Sequence, residues 1–269
     1  MNQKLKAVNK IFDMSNKNVI IFGGAGKIGK NFSKILSAAG ANVFILDLSC
    51  SKKILSKKIF FLKCDVSSET QINSSIEKII NKFKKIDVLI YNVYSKPKNY
   101  YKKFTEYDSD TWKTVIDINL TGAFLATKYL ISLKKNKKLN FIFLLSTYGI
   151  VGPDYKIYEN LSAKKNIYDG NYSLNTPAVY SASKSALLGF AKYISTTYGK
   201  DGVRCNCLTP GGVFDNQEKK FIKRYEHKVP LGRMANQNDY NGAILFLASD
   251  ASSYMTGSNL IVDGGWTAW

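Results

Sequence analysis

The sequence predicts an α/β protein built on a doubly wound parallel sheet, and three observations carry that prediction. Short apolar runs alternate with amphipathic helical stretches along nearly the whole chain. The runs are apolar at successive positions instead of every second one, as strands covered by helices on both faces require. A glycine cluster, "GGAGKIG" at 23–29, falls between the first run and the first helical stretch. In such a fold that turn brings phosphate against bare backbone N–H groups.

The elements follow in order. "VIIF" at 19–22 reads as the first strand, 27–39 as a helix closed by Gly40, and 42–46 as a second strand ending at Asp47. "KIFFLKCDV" is a third strand. "ETQINSSIEKIINKF" is a helix with Ile72, Ile76, Ile79, Ile80 and Phe83 as its apolar side, and "IDVLIYNV" is a fourth strand. A long helix over 111–133 precedes the continuous apolar strand "NFIFLLS". After an irregular stretch come a helix at 178–198, a strand at 203–208, a helix at 239–249 and a last strand at 259–262. Together these make one Rossmann-type domain over 1–269, with 1–17 as an N-terminal extension and no repeat, low-complexity tract or linker.

Composition narrows the class. With 45% hydrophobic and 22% charged residues the chain reads as a soluble globular protein, and no apolar run reaches the ~18 residues of a membrane span. The charged start lacks the ~7–15 apolar residues of a secretory signal, so a cytoplasmic location is expected. Cys50, Cys64, Cys205 and Cys207 show no C-x-x-C pairing, which points away from a metal or redox centre. Cys205 and Cys207 alternate along a strand and fill one core face. The formal charge of +19 comes from lysines spread over the chain, with only Arg204, Arg224 and Arg233 beside them. Nucleic-acid readers cluster arginine, so a solvated lysine surface is the better reading.

The glycine cluster fits two registers, G-x-G-x-x-G from Gly24 and G-x-x-G-x-x-G through Gly23, Gly26 and Gly29. A third, G-x-x-x-G-x-G, fails because Lys27 stands where its middle glycine belongs. Asp47 lies at the end of the second strand, where an acid accepts hydrogen bonds from the adenosine ribose and repels a 2′-phosphate. NAD is therefore the expected cofactor. Lys27, Lys52 and Lys53 could neutralise a phosphate, which leaves NADP as the alternative.

"YSASK" puts Tyr180 and Lys184 four residues apart on a helix, on one face. An ammonium beside a phenol favours the phenolate, so the pair can move a proton. Tyr94 and Lys98 share the spacing, but Pro97 between them argues against a helix.

With these motifs the chain resembles the short-chain dehydrogenase/reductase family from about residue 18 to 265. The matching segments are the glycine loop, "CDV", Asn92, "DINLTGAF", "LLSTYG", "YSASK", "VRCNCLTPGG" and "IVDGG". The resemblance implies a catalytic tetrad: Tyr180 as general acid/base, Ser146 hydrogen-bonded to the substrate oxygen, Lys184 on the nicotinamide ribose, and Asn119 holding a water that relays protons to Lys184. It further implies cofactor contacts from Gly23, Gly26, Lys27, Ile28, Gly29, Asp47, Leu48, Asp65, Val66, Asn92, Tyr180, Lys184, Pro210, Gly211 and Val213. Plainer readings stand beside these: Ser146 as a strand-end hydroxyl, Asn119 as a polar residue kinking its helix, Asp65 as a strand terminator, and 210–212 as an ordinary turn.

Three departures from the family pattern stand out. The G-x-x-G-x-x-G spacing is typical of the longer sugar-nucleotide epimerases and dehydratases, yet this chain ends soon after "VDGG", as compact members do. "NVY" at 92–94 replaces the usual Asn-Ala-Gly. Thirty-three residues separate Ser146 from Tyr180, where relatives place about a dozen, so roughly twenty are inserted beside the catalytic centre. The insertion, 152–177, is expected to shape the substrate site. Its Tyr155, Tyr158, Tyr168 and Tyr172 stand among Asn160, Asn166, Asn171 and Asn175, a set able to hold a polyhydroxylated ligand, or else to form a self-packed loop or subunit contact.

"STYG", "PAVYSASK" and "TPGGVFDNQ" also resemble oxidoreductases of bacterial surface-sugar pathways, including those of flagellin and lipopolysaccharide nonulosonic acids. The expectation is an NAD(P)-dependent alcohol/carbonyl oxidoreductase on a carbohydrate-derived small molecule, acting as a homo-oligomer (dimer or tetramer) with neither nucleic acid nor membrane as partner. An acyl or hydrophobic alcohol substrate, and a fold that binds cofactor without turnover, are the alternatives.

Overall fold

Seven parallel strands form one sheet in the order β3-β2-β1-β4-β5-β6-β7. The computed structural model describes residues 10–133, 138–161 and 174–269. The strands are β1 (Asn18–Phe22), β2 (Asn42–Asp47), β3 (Ile59–Lys63), β4 (Val88–Tyr91), β5 (Leu139–Leu144), β6 (Val203–Pro210) and β7 (Asn259–Val262). The helices are α1 (Lys27–Ala38), α2 (Glu69–Phe83), α3 (Ser109–Ile116), α4 (Gly122–Ser132), α5 (Ala178–Tyr198), α6 (Lys219–Lys228) and α7 (Asn241–Ala248).

Period-two alternation sends successive side chains of one strand into two separate cores. From β1, Ile20 and Phe22 join a layer with Ile72 and Ile76 of α2, Leu130 of α4 and Leu187 of α5. Val19 and Ile21 join the opposite layer with Phe32 and Leu36 of α1 and Ile244 and Leu247 of α7. Both faces of the strand are thereby dry, which explains the unbroken apolar runs. Cys205 and Cys207 lie in the first layer, both fully buried.

Strand order reverses between β1 and β4, so the connections leaving their carboxyl ends part to opposite sides and open a crevice. The glycine loop leaves β1 there, and Asn92 directly follows β4.

Two elements differ from the pattern in the sequence. The helix expected over 111–133 is divided: residues Asp117–Thr121 form a π-helical turn between α3 and α4. Tyr91, fully buried at the end of β4, donates its hydroxyl to the Ile118 carbonyl at 2.5 Å and fixes that turn. Helix α6 has no counterpart in the predicted elements. Its sequence, KKFIKRYEHK, buries only Phe221 and Tyr225, too sparse a stripe to stand out.

No helix among the described residues is long and apolar enough to cross a membrane, and no group of three or more His, Cys, Asp or Glu side chains gathers as for a metal ion.

Candidate active site

The glycine loop is shaped by close approach. Gly23 has φ of +72°, donates its N–H to the Leu46 carbonyl at 2.9 Å, and accepts from Asn92 Nδ2 at 3.0 Å. A Cβ on Gly29 would collide with the Gly23 carbonyl and come within 2.7 Å of the Gly24 Cα. Gly29 closes both registers, and Gly23 and Gly24 are each confined, Gly23 by its positive φ and the Asn92 carbonyl that a Cβ would meet at 2.6 Å, Gly24 by the Ile21 carbonyl at 3.0 Å. Gly26 caps α1 with no side-chain acceptor, and the first turn contains no acid. The first amides of α1 are thus left for an external anion, which fits a dinucleotide pyrophosphate.

Asp47 sits beside this loop, half-buried. One carboxylate oxygen accepts the Ala25 N–H at 3.0 Å and the other the Leu48 N–H at 2.8 Å. Leu48 is exposed. Lys27 forms an ion pair with Asp215 in the connection after β6; burial and then Lys30 draw its pKa down. Lys52 and Lys53 lie exposed on the short turn after β2. Asp65 accepts from the Ser67 N–H and hydroxyl at 2.9 and 2.7 Å, ending β3 before the "CDV" of the sequence, while Val66 is buried beside it. Ile28 packs against the second core layer.

The catalytic candidates converge at the carboxyl ends of β4 and β5. Ser146, two residues beyond β5, caps a 3-10 turn by accepting the Tyr148 N–H at 3.3 Å. At the end of this turn a Cβ on Gly149 would lie 3.0 Å from Lys184 backbone and side-chain atoms, so the turn rests directly on α5. The Ser146 side chain neighbours the Tyr180 hydroxyl and acts on its pKa. Burial pushes the Tyr180 pKa up to about 12, opposed by Ser146 and by the Lys96 charge.

Lys184, 3% exposed, donates to the Leu144 carbonyl at 2.7 Å and the Val93 carbonyl at 3.3 Å. Burial draws its pKa down from 10.5 to about 7. Asn119 lies in the π-helical turn, fully buried; its amide donates to Ser183 Oγ at 2.9 Å, and its oxygen accepts the Ser95 N–H at 3.0 Å. The structure therefore joins Asn119 directly to Ser183, the residue preceding Lys184.

Lys184 makes stability pH-dependent. Between pH 7 and 10.5 the unfolded chain binds a proton at this lysine that the folded chain does not, so folding is favoured as pH rises through that window, by up to about 1.4 kcal/mol per unit. The difference in melting temperature between the native chain and Lys184→Met is therefore expected to shift in favour of the native chain from pH 7 to 9.5. Raised tyrosine and cysteine pKa values act on both proteins and cancel. A pH-independent difference in calorimetry would contradict a buried lysine of lowered pKa.

On the far side, the turn after β6 is braced from several directions. Gly211 donates its N–H to the Val262 carbonyl at 2.9 Å, its carbonyl accepts the Tyr240 hydroxyl, and the Gly212 N–H donates to the Tyr225 hydroxyl. Val213 bridges to Ala235. Tyr225 of α6 stacks on Trp266 at 4.6 Å, and Trp266 meets Tyr148 edge-on. A cavity of about 230 Å³ lies behind this turn, lined by Arg233, Asp239, Tyr240 and Asp263 among others. Its lining takes in Gly211 and Gly212 but none of Asn119, Ser146, Tyr180 or Lys184. Pro210 ends β6 beside the turn.

The insertion is anchored at its base. Ile157 and Leu161 are buried against Phe221, Tyr225 and Trp266; Asp154 pairs with Lys228 at 2.6 Å, and Arg224 reaches the Glu159 carbonyl. Leu174 donates its N–H to the Leu161 carbonyl at 3.0 Å. The Tyr158 hydroxyl is engaged by Tyr148 and Thr176, and the Asn175 amide by the Tyr101 carbonyl, while Tyr155 is 56% exposed. Asn160 has φ of +55°. Tyr168, Tyr172, Asn166 and Asn171 lie outside the described residues.

Lys96, Tyr225 and Trp266 had no signal in the sequence. Tyr225 and Trp266 act through neighbours distant along the chain, Lys96 through the rings of Tyr94 and Tyr101.

Comparison with known proteins agrees with this geometry. Residues 17–159 match the family model described as short chain dehydrogenase, and 166–267 the one described as enoyl-(acyl carrier protein) reductase. A trans-4-hydroxycyclohexanecarboxylate dehydrogenase of Sinomonas cyclohexanicum is 30% identical, the match covering 95% of this chain and 94% of that one. The post-translational flagellin modification protein A of Campylobacter coli is 28% identical over 94% of this chain and 99% of that protein. Among solved structures, a short chain dehydrogenase from Leptospira borgpetersenii with bound NAD+ superposes with a TM-score of 0.82 at 31% identity, covering 95% and 94% of the two chains. The chain belongs to the short-chain dehydrogenase/reductase family and is a nicotinamide-dependent oxidoreductase acting on CH–OH groups.

Proposed function

We propose that this enzyme interconverts a secondary alcohol and its ketone on a carbohydrate-derived substrate, with NAD as cofactor. The observation that carries the reading is the packing of the turn that bears Ser146 directly on α5, the helix that carries Tyr180 and, one helical turn beyond it, Lys184. A bound nicotinamide supplies or accepts the hydride. In the reducing direction Tyr180 gives its proton to the substrate oxygen as negative charge builds there, and Ser146 donates a hydrogen bond to the same oxygen. Lys184, titrating near neutrality, is suited to restore that proton, and Asn119 fixes the helix end from which Lys184 projects through Ser183. Asn92 holds the glycine loop, and Asp65 with Val66 forms the adenine side of the cleft.

NAD is favoured because Asp47 turns its carboxylate onto the glycine loop while Lys27 is drawn to Asp215. A carbohydrate-derived substrate follows from the resemblance to surface-sugar enzymes and from the likeness to the flagellin modification protein. The Sinomonas relative, named for a hydroxylated ring, makes a carbocyclic alcohol the second reading. In this reading 1–17 precedes the catalytic domain, 152–177 walls the substrate site, and the enzyme works in the cytoplasm as a homo-oligomer, for which Phe124 of α4 and Tyr193 of α5 offer exposed apolar surface.

The test couples a screen of sugars, nucleotide sugars and cyclic alcohols to NADH and NADPH, alongside fluorescence titrations of both cofactors. NADH is expected to bind at least tenfold more tightly, and Asp47→Ala to remove most of that preference. Tighter NADPH binding by the native chain would overturn the cofactor assignment, and turnover confined to acyl substrates the substrate assignment.

A further inference from the structure

Helix α1 is tied to the far side of the sheet along one row of side chains. Lys27, its first residue, pairs with Asp215 of the connection after β6. Asn31 stands four positions on, on the same side of the helix, and its amide reaches Asn238 at 2.9 Å and Asn241 at 3.3 Å. In the sheet, β4 and β5 lie between β1 and β6, a separation of about 14 Å at the usual strand spacing. The Lys27–Asp215 pair therefore joins two connections that leave the carboxyl edge on opposite sides of the crevice, and it is the link of the row nearest that edge.

Asp215 is held in place by its own loop. The Phe214 N–H donates to the Ala235 carbonyl and the Ala235 N–H to the Gly212 carbonyl, both at 2.9 Å. Gln217 grips both flanks: its Oε1 accepts the Asp215 N–H at 2.7 Å, and its Nε2 donates to the Val213 carbonyl at 2.8 Å. The backbone at Asp215 is thus fixed while its carboxylate is exposed. The cation that it meets belongs to the first turn of α1, among the amides suited to a pyrophosphate.

We infer that Asp215 is a positioning residue for the cofactor: by holding Lys27 it closes the mouth of the crevice and slows release of the bound dinucleotide. The inference rests on the reading of the α1 amides as the pyrophosphate site. Water is displaced from beneath the pair when the crevice is filled, and an ion pair strengthens as its surroundings lose polarity. The pair must part before the crevice empties, so its strength enters the dissociation rate. An ion pair this exposed is weak by itself, which sets the effect at a few-fold to tenfold. Were Asp215 a competitor for Lys27 instead, removing its charge would free the lysine for the pyrophosphate and slow release, the opposite sign.

The test uses the full chain loaded with whichever of NADH and NADPH binds more tightly, displaced by excess ADP-ribose in a stopped-flow fluorimeter. Asp215→Asn is expected to raise the dissociation rate three- to tenfold, and Asp215→Glu, which keeps the carboxylate, to stay within twofold of the native chain. Lys27→Met should also raise the rate, and adding Asp215→Asn to it should change nothing further, because a pair already broken cannot be broken again. A loop that merely lost support would show the Asp215 effect in both backgrounds. Melting curves check the fold, and Asp215→Gln, compared with Asp215→Glu, replaces Asp215→Asn if the latter melts early. A rate indifferent to the Asp215 charge, a slower release, or an effect that persists beside Lys27→Met overturns this inference alone. Failure of the native chain to bind either cofactor overturns it together with the proposed function.

Discussion

Tyr180→Phe is expected to lower kcat/KM by about 10²–10⁴-fold, the usual contribution of a positioned acid/base group, while NADH affinity stays within a few-fold. The substitution removes one oxygen from a ring held between Tyr94 and the helix, so packing is preserved. The loss falls on the transition state, where the substrate oxygen gains charge and needs the proton. Ser146→Ala should cost less, because the remaining Tyr180 hydroxyl still reaches the oxygen. Pre-steady-state kinetics with any substrate from the screen decides the matter. Turnover by the phenylalanine variant above a tenth of the native rate would remove Tyr180 from the mechanism.

Gly29→Ala is expected to weaken NADH binding by about 10–100-fold, corresponding to the 1–3 kcal/mol that a forced methyl typically costs. The new Cβ would strike the Gly23 carbonyl and press on Gly24 and on Asn92 Nδ2. Little can yield: Gly23 is bound to β2 through its N–H and to Asn92 through its carbonyl. The glycine loop must open, or α1 must retreat from the sheet. Fluorescence titration with NADH and a melting curve separate the two, since retreat of α1 lowers the melting temperature and loop opening does not. Native NADH affinity in this variant would mean the pyrophosphate lies elsewhere.

Much of the molecule was legible because its strands are buried on both sides. Runs such as "VIIF" and "NFIFLL" leave no polar face to confuse, and every strand expected from them is present within a few residues. That Tyr180, Lys184 and Ser146 come together was legible because Tyr180 and Lys184 share a helix and Ser146 follows a strand whose neighbours are fixed. What escaped detection depends on distant partners. The π-helical turn at Asn119 is held by Tyr91, 27 positions away in sequence, and nothing in "DINLTG" announces it. Helix α6 owes its place to two aromatic residues that fit between the insertion and Trp266. The reach of Lys184 follows the same rule: its spacing from Tyr180 suggests a ligand, but the carbonyls of Val93 and Leu144 take its ammonium in the free chain. Lys96 is one lysine among many until the rings of Tyr94 and Tyr101 are seen around it.

The stack of Trp266 on Tyr225 also gives the molecule an optical probe. Of its three tryptophans, Trp112 and Trp269 are solvent-exposed, while Trp266 is 7% exposed. Blue-shifted emission therefore belongs to Trp266, which sits between the turn that presents Ser146 and, through the Tyr225 hydroxyl, the backbone at Gly212. Both turns border one indole, so intrinsic fluorescence at short wavelength reports their relative movement without any label.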